Sequence, residues 1–152
     1  MRKHIPEILQ IVDNASTKAE RIRLLEQYNV RPLRNMLALN FDKNIVLDLP
    51  EGKPPFKRDE REPVGMSAAS LYTESRRLAR CLESDPLSKL KKEAVFVQIL
   101  EGIHWQEADV VLACKDRKLE EMYPNITREI VRKAFPTLLT DVQPNQFTKE
   151  KN

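Results

Sequence analysis

A chain of 152 residues, 41% of them apolar and 32% charged, is long enough for one ordinary domain and apolar enough to enclose a core beneath a well-solvated surface. A formal charge of +3 is too small to mark a nucleic-acid binder by itself, and no run approaches the roughly 18 apolar residues that a membrane span needs. Three glycines and 6% aromatic residues disfavour a sheet with many tight turns, so the composition predicts an all-α protein.

In chain order, Arg2-Lys3-His4 is basic, but Pro6, Glu7, Gln10 and Asp13 interrupt the apolar residues after it, so no secretion signal is read there. Ile5, Ile8, Leu9 and Val12 predict a short first helix with Pro6 in its opening turn. Thr17 with Glu20 three positions later is the capping-box spacing, and opens a second helix that buries Ala19, Ile22 and Leu25 and ends at Asn29. Pro32 starts a third, with Leu33, Met36 and Leu37 inward and Arg31 and Arg34 outward. From about 41 to 67 the helical pattern stops: Pro50, Pro54, Pro55 and Pro63 with Gly52 and Gly65 forbid a long helix. The flanking Ile45, Leu47, Leu49 and Phe56 predict that the arms of this long proline-rich loop are pinned to the helical body.

A fourth helix is predicted from Ser67–Ser70 to about Leu82, with Leu71, Ser75, Leu78 and Leu82 on one face. Asp85-Pro86 reads as the N-cap and first position of a fifth, whose wide stripe is Leu87, Leu90, Ala94, Ile99 and Ile103, joined by Val95 and Val97, with Lys92 off it and Gly102 as its stop. A sixth runs from His104 to Leu119 with Trp105, Ala108, Val111 and Leu112 inward. A seventh starts after Pro124-Asn125, buries Ile126, Ile130, Val131, Ala134 and Phe135, and halts at Pro136. The expected architecture is one compact bundle of six or seven short helices over residues 1–139, with the loop at 41–67 inside it and a flexible C-terminal tail at 140–152.

Little in the chain points to catalysis. Cys81 and Cys114 lack metal spacing and read as buried thiols in a reducing compartment. His104 and Glu107 are three apart at a helix start, but the only other histidine is His4, so the pair is read as a cap or a surface feature and no metal or cofactor is expected. Neither cysteine has a local histidine to activate it, the carboxylate pairs Asp59/Glu60 and Glu120/Glu121 lie in solvated sequence, and the isolated glycines make no phosphate loop. Binding surfaces remain. Arg76 and Arg80, four apart with Tyr72 one turn earlier, predict an outward basic stripe. Arg21, Arg31 and Arg34 make the N-terminal helices basic, though the turn from Asn29 to Pro32 lacks the glycine usual in a helix-turn-helix. Lys57 and Arg58 sit at the centre of the loop.

Several segments resemble a known group of proteins: Leu49-Pro50-Glu51-Gly52-Lys53-Pro54-Pro55-Phe56-Lys57, Leu71-Tyr72-Thr73-Glu74, and Leu100-Glu101 through Ala113-Cys114-Lys115-Asp116-Arg117-Lys118-Leu119, ending in Ala134-Phe135-Pro136. Over roughly Ile5 to Leu139 the chain is similar to a family of small uncharacterised proteins encoded by T4-like tailed phages, including cyanophages. It departs from that pattern by a longer insertion between Lys57 and Leu71 and a longer tail. The resemblance implies a phage protein acting in the host cytoplasm and supplies no catalytic residue. The expected function is a non-catalytic accessory protein that binds replication or transcription machinery, a protein or protein–nucleic-acid partner, through basic helix faces. The alternative is a structural or assembly role as a homo-oligomer or virion-associated component.

Overall fold

The computed structural model describes residues 2–141, among which eight α-helices and one 3₁₀ helix form and no strand. They are α1 (Ile5–Asn14), α2 (Lys18–Gln27), α3 (Arg31–Phe41), α4 (Leu71–Glu74), the 3₁₀ helix Ser75–Cys81, α5 (Lys89–Gly102), α6 (Trp105–Lys115), α7 (Leu119–Met122) and α8 (Arg128–Ala134). The all-α expectation holds. The helix count exceeds six or seven because the predicted fourth helix is split in two and a short additional helix, α7, forms just past the predicted sixth. No helix of the described residues is long and apolar enough to cross a membrane.

The first three helices start at their local signals, although of the residues expected inside α2 only Leu25 is buried, with Ile22 half-buried and Ala19 exposed. Pro6 and Pro32 stand in the opening turns of α1 and α3, where a missing N–H costs nothing. Thr17 caps α2 by accepting from the Glu20 N–H at 3.1 Å. Only half of the predicted capping box forms, since the Glu20 carboxylate turns to Arg23 instead, at 2.6 Å.

The fourth helix departs from its prediction. Ordinary α geometry lasts from Leu71 to Glu74, and the next seven residues tighten to 3₁₀. Its buried residues Ser75, Leu78 and Cys81 recur every third position, which is the 3₁₀ period. Leu82 leaves the helix and forms an isolated antiparallel bridge with Leu47.

α5 starts later than predicted, and its buried face is rotated from the predicted stripe: Ile99 and Ile103 of that stripe are inside, but Leu90 and Ala94 face out. The Asp85 carboxylate accepts from the Leu87 N–H at 3.0 Å in a tight turn, and Ser88 caps the helix through the Lys91 N–H. Lys92, Phe96, Ile99 and Leu100 are buried, while Leu90 is 77% exposed. Lys92 can face inward because Asp48 reaches its ammonium at 3.2 Å, which offsets part of the cost of burying a charge. Gly102 is not left-handed; it is the last residue of α5, and its carbonyl accepts from the Ala69 N–H at 2.8 Å.

The left-handed residue that ends a helix is Arg117, at φ 59°. The Lys118 N–H reaches back to the Ala113 carbonyl at 2.7 Å and the Arg117 N–H to the Cys114 carbonyl at 3.1 Å, the two bonds of a Schellman ending. α6 therefore stops short of Leu119, and α7 begins there in a new direction.

α6 lies at the centre, packed against α1, α3, α5 and α7, while α2 joins α1 to α8 and the 3₁₀ helix rests on α3 and α5. A helix with neighbours on several sides buries more than one stripe, and Ala108, Val110, Val111 and Cys114 are all inside. Between α3 and α4 the chain runs over this body: Ile45, Leu47, Leu49 and Phe56 pack against the core, the Lys115 ammonium donates to the Pro50 carbonyl at 2.8 Å, and the Lys57 N–H donates to Glu101 at 2.7 Å. Of the residues expected in the tail, Thr140 and Asp141 are tied down, Thr140 by two bonds to Asp42 and Asp141 by Arg128; residues 142–152 lie outside the described part.

Candidate partner-binding face

The 3₁₀ geometry rearranges the basic stripe expected from Tyr72, Arg76 and Arg80. At three residues per turn, positions 76 and 80 stand a third of a turn apart instead of sharing a face, whereas 76 and 79 share one. Arg76 and Ala79 accordingly face a groove of about 340 Å³ between the 3₁₀ helix and α3. Its walls are Met36, Ala38 and Leu39 of α3, Leu78 and Leu82 opposite, and Ile45 and Leu47 at one end, with Asn35, Ser75 and Arg31 completing it. The Asn35 amide donates to the Ser75 hydroxyl at 3.1 Å across the floor. Arg31, in the first turn of α3, and Arg76 are both exposed, and neither has a hydrogen-bond or ion-pair partner among the described residues.

The other residues predicted to bind are engaged elsewhere. Arg80 reaches Asp85 at 3.5 Å, and Arg34 donates to the Asn29 side chain. Arg21 donates to the Ala15 carbonyl at 2.8 Å, linking α2 to the end of α1. The Tyr72 hydroxyl donates to the Lys3 carbonyl at 2.7 Å, and the Arg2 guanidinium covers its ring at 4.1 Å. Arg58 makes a two-pronged bond to Asp109 at 2.8 and 3.1 Å, an ion pair to Glu60 at 3.0 Å and a stacking contact over Trp105 at 5.3 Å. Hydrogen bonding to Asp109 raises the Arg58 pKa further above its ordinary range, so this cation straps the loop onto α6. Trp105, expected in the core, is half-buried beneath that strap. Lys57 is exposed and anchored by its backbone alone.

A second cluster is not apparent in the sequence. His4, His104 and Glu107 converge where the N-terminus, the end of the loop and α6 meet. His104 caps α6 by accepting from the Gln106 N–H at 3.1 Å, while its other ring nitrogen lies 2.8 Å from the Glu62 carbonyl. The first contact makes Nδ1 the acceptor, so Nε2 carries the proton and donates to Glu62. Glu107, 1% exposed, accepts from the Leu71 N–H at 3.0 Å. The His4 ring stands edge-on to His104 at 5.2 Å, with its buried Nε2 4.0 Å from Glu107, too far for a hydrogen bond. Burial raises the Glu107 pKa, and burial together with the proximity of His104 lowers that of His4. The expectation of a cap or a surface feature is met only in part: His104 is a cap, but both side chains are interior. No local pattern ties position 4 to positions 104 and 107.

Cys81 and Cys114 are buried and free. Burial lifts the Cys81 thiol to about 11 and that of Cys114 higher still, so both stay protonated at neutral pH and neither is poised as a nucleophile.

In comparison with known proteins, residues 8–121 match a family of unknown function (DUF6433). No curated protein and no solved structure matches the chain.

Proposed function

The chain belongs to the DUF6433 family, and from the chemistry of its surface we propose that it is a non-catalytic accessory protein of a T4-like phage that binds protein or protein–nucleic-acid components of the replication or transcription machinery in the host cytoplasm. The observation that carries this reading is the pair Arg31 and Arg76, unmatched among the described residues, at the rim of an aliphatic groove. Neighbouring arginines are neutralised within the fold, Arg77 by Glu74 and Arg80 by Asp85; two exposed guanidiniums left beside apolar surface are what an interface uses. The connector between α3 and α4 supplies Ile45 and Leu47 to the same groove, which supports its taking part in the proposed docking.

The test is affinity capture from phage-infected cells with the wild-type chain and with Arg31→Ala/Arg76→Ala. Partners should be retained by the first, weakened by salt, and lost from the second, each arginine contributing about 1–2 kcal/mol at a partly desolvated interface. Equal capture by both proteins sinks the reading.

A second reading, assembly as a homo-oligomer or virion-associated component, is favoured by a different place. α5 leaves Leu90 and Ala94 exposed beside a groove of about 650 Å³ shared with Leu49, Pro54 and Pro55, an apolar patch of the kind that covers itself with another chain.

A further inference from the structure

The groove between α3 and the 3₁₀ helix carries a more specific inference, which rests on the reading that this face docks a partner. Among the described residues its charged lining consists of Arg31 and Arg76, with no carboxylate. Between them lie aliphatic walls, chiefly Met36, Leu39, Leu78 and Leu82.

We propose that this groove takes a short acidic, aliphatic segment of a partner protein, its apolar side chains seated between the two helices and its carboxylates pairing with Arg31 and Arg76. The aliphatic walls reward burial of apolar side chains and reject a purely polar ligand. The guanidiniums offer planar two-pronged donors that suit a carboxylate, and a lysine-rich segment would meet like charge. Because the cations flank apolar surface, the pairs they form are partly shielded from water and so are stronger than pairs on an open surface. A single nucleic-acid strand fits less well. It needs rings on which bases stack and a track of free cations, yet among the described residues no aromatic side chain lines the groove and the Tyr72 ring is already covered by Arg2.

The test is selection from a displayed random dodecapeptide library on the full chain, with fluorescence anisotropy of the enriched peptides. Peptides combining Asp or Glu with Leu, Ile or Val should be enriched. Their binding should weaken with salt and fall about tenfold or more, some 1.4 kcal/mol, in both Arg31→Ala/Arg76→Ala and Ala79→Glu. The second variant adds a carboxylate to the groove wall at an exposed position, and circular dichroism on both confirms the fold. Enrichment of basic or uncharged peptides overturns the proposal, as does acidic-peptide binding that survives Ala79→Glu. Tighter binding of oligothymidylate, lost in the arginine variant, replaces the occupant while leaving the docking face in place. A dimer mass abolished by Ala79→Glu, with no peptide enriched, assigns the groove to a second copy and likewise overturns it. If the arginine variant changes neither peptide binding nor capture from infected cells, the docking reading itself falls.

Discussion

Glu107 shows how burial sets a residue's chemistry. Its carboxylate is inside the protein, bonded to the Leu71 N–H, and desolvation holds its pKa above the usual carboxylate value despite the bonds it accepts. For an acid whose folded pKa lies above its unfolded one, the stability it supports is complete below the unfolded value and is lost as pH rises through the folded one. His4 works in the opposite sense: its depressed pKa favours the neutral ring, so its contribution is lost as pH falls. Glu107→Gln keeps an oxygen for the Leu71 N–H and cannot ionise, while His4 is common to both proteins. The variant should match the wild type near about pH 4 and exceed it by roughly 1 kcal/mol near about pH 8, some 2–4 °C in Tm for a domain of this size. Thermal melts across that range check this, and an advantage independent of pH would refute it. The sequence singled out Glu107 with His104 as a cap or surface feature and could not place it inside, because desolvation is a property of what packs around a group.

Among the elements, the end of α6 has the least ordinary chemistry. A Schellman ending usually places glycine at its left-handed position, since a side chain costs about 1–2 kcal/mol there. Here Arg117 occupies it and its guanidinium gathers carbonyls of Leu39 and Asp42, at 3.0 and 2.9 Å, with that of Ile45. The cation closes the C-terminus of α3, where it also suits the helix dipole, and fixes the start of the segment that borders the groove. Both Arg117→Ala and Arg117→Gly lose these bonds, at a cost of about 1.5–3 kcal/mol, but only glycine removes the backbone cost. Urea unfolding should therefore find Arg117→Gly more stable than Arg117→Ala by about 1 kcal/mol; the reverse order would show that the conformation is not a strained one. α5 teaches a related lesson. Its sequence is apolar on more than one side, so periodicity could not choose whether Leu90 and Ala94 or Phe96 and Leu100 would join Ile99 inside. Asp48, more than forty positions earlier, broke the tie by accepting Lys92 inside.

For the molecule as a whole, that rotation of α5 has a consequence outside. Leu90, 77% exposed, adjoins the groove formed with the first arm of the connector. This surface should drive weak self-association at high concentration, and Leu90→Glu should return the mass by light scattering to 17.7 kDa without loss of thermal stability, because the side chain contributes little to the core. A wild-type mass that stays at 17.7 kDa at every concentration removes the assembly reading.

The helical class was legible from the chain, as were the proline starts of α1 and α3, the Thr17 cap and the pinning of Ile45, Leu47, Leu49 and Phe56 to the core. Each of these depends on a residue and its near neighbours, or on a count of apolar side chains. The inward face of α5, the 3₁₀ turn that set Arg76 beside Ala79, and the meeting of His4 with Glu107 were decided only by tertiary packing. In those places the local preferences are nearly balanced, and the side chain or backbone group that tips them arrives from a distant part of the chain.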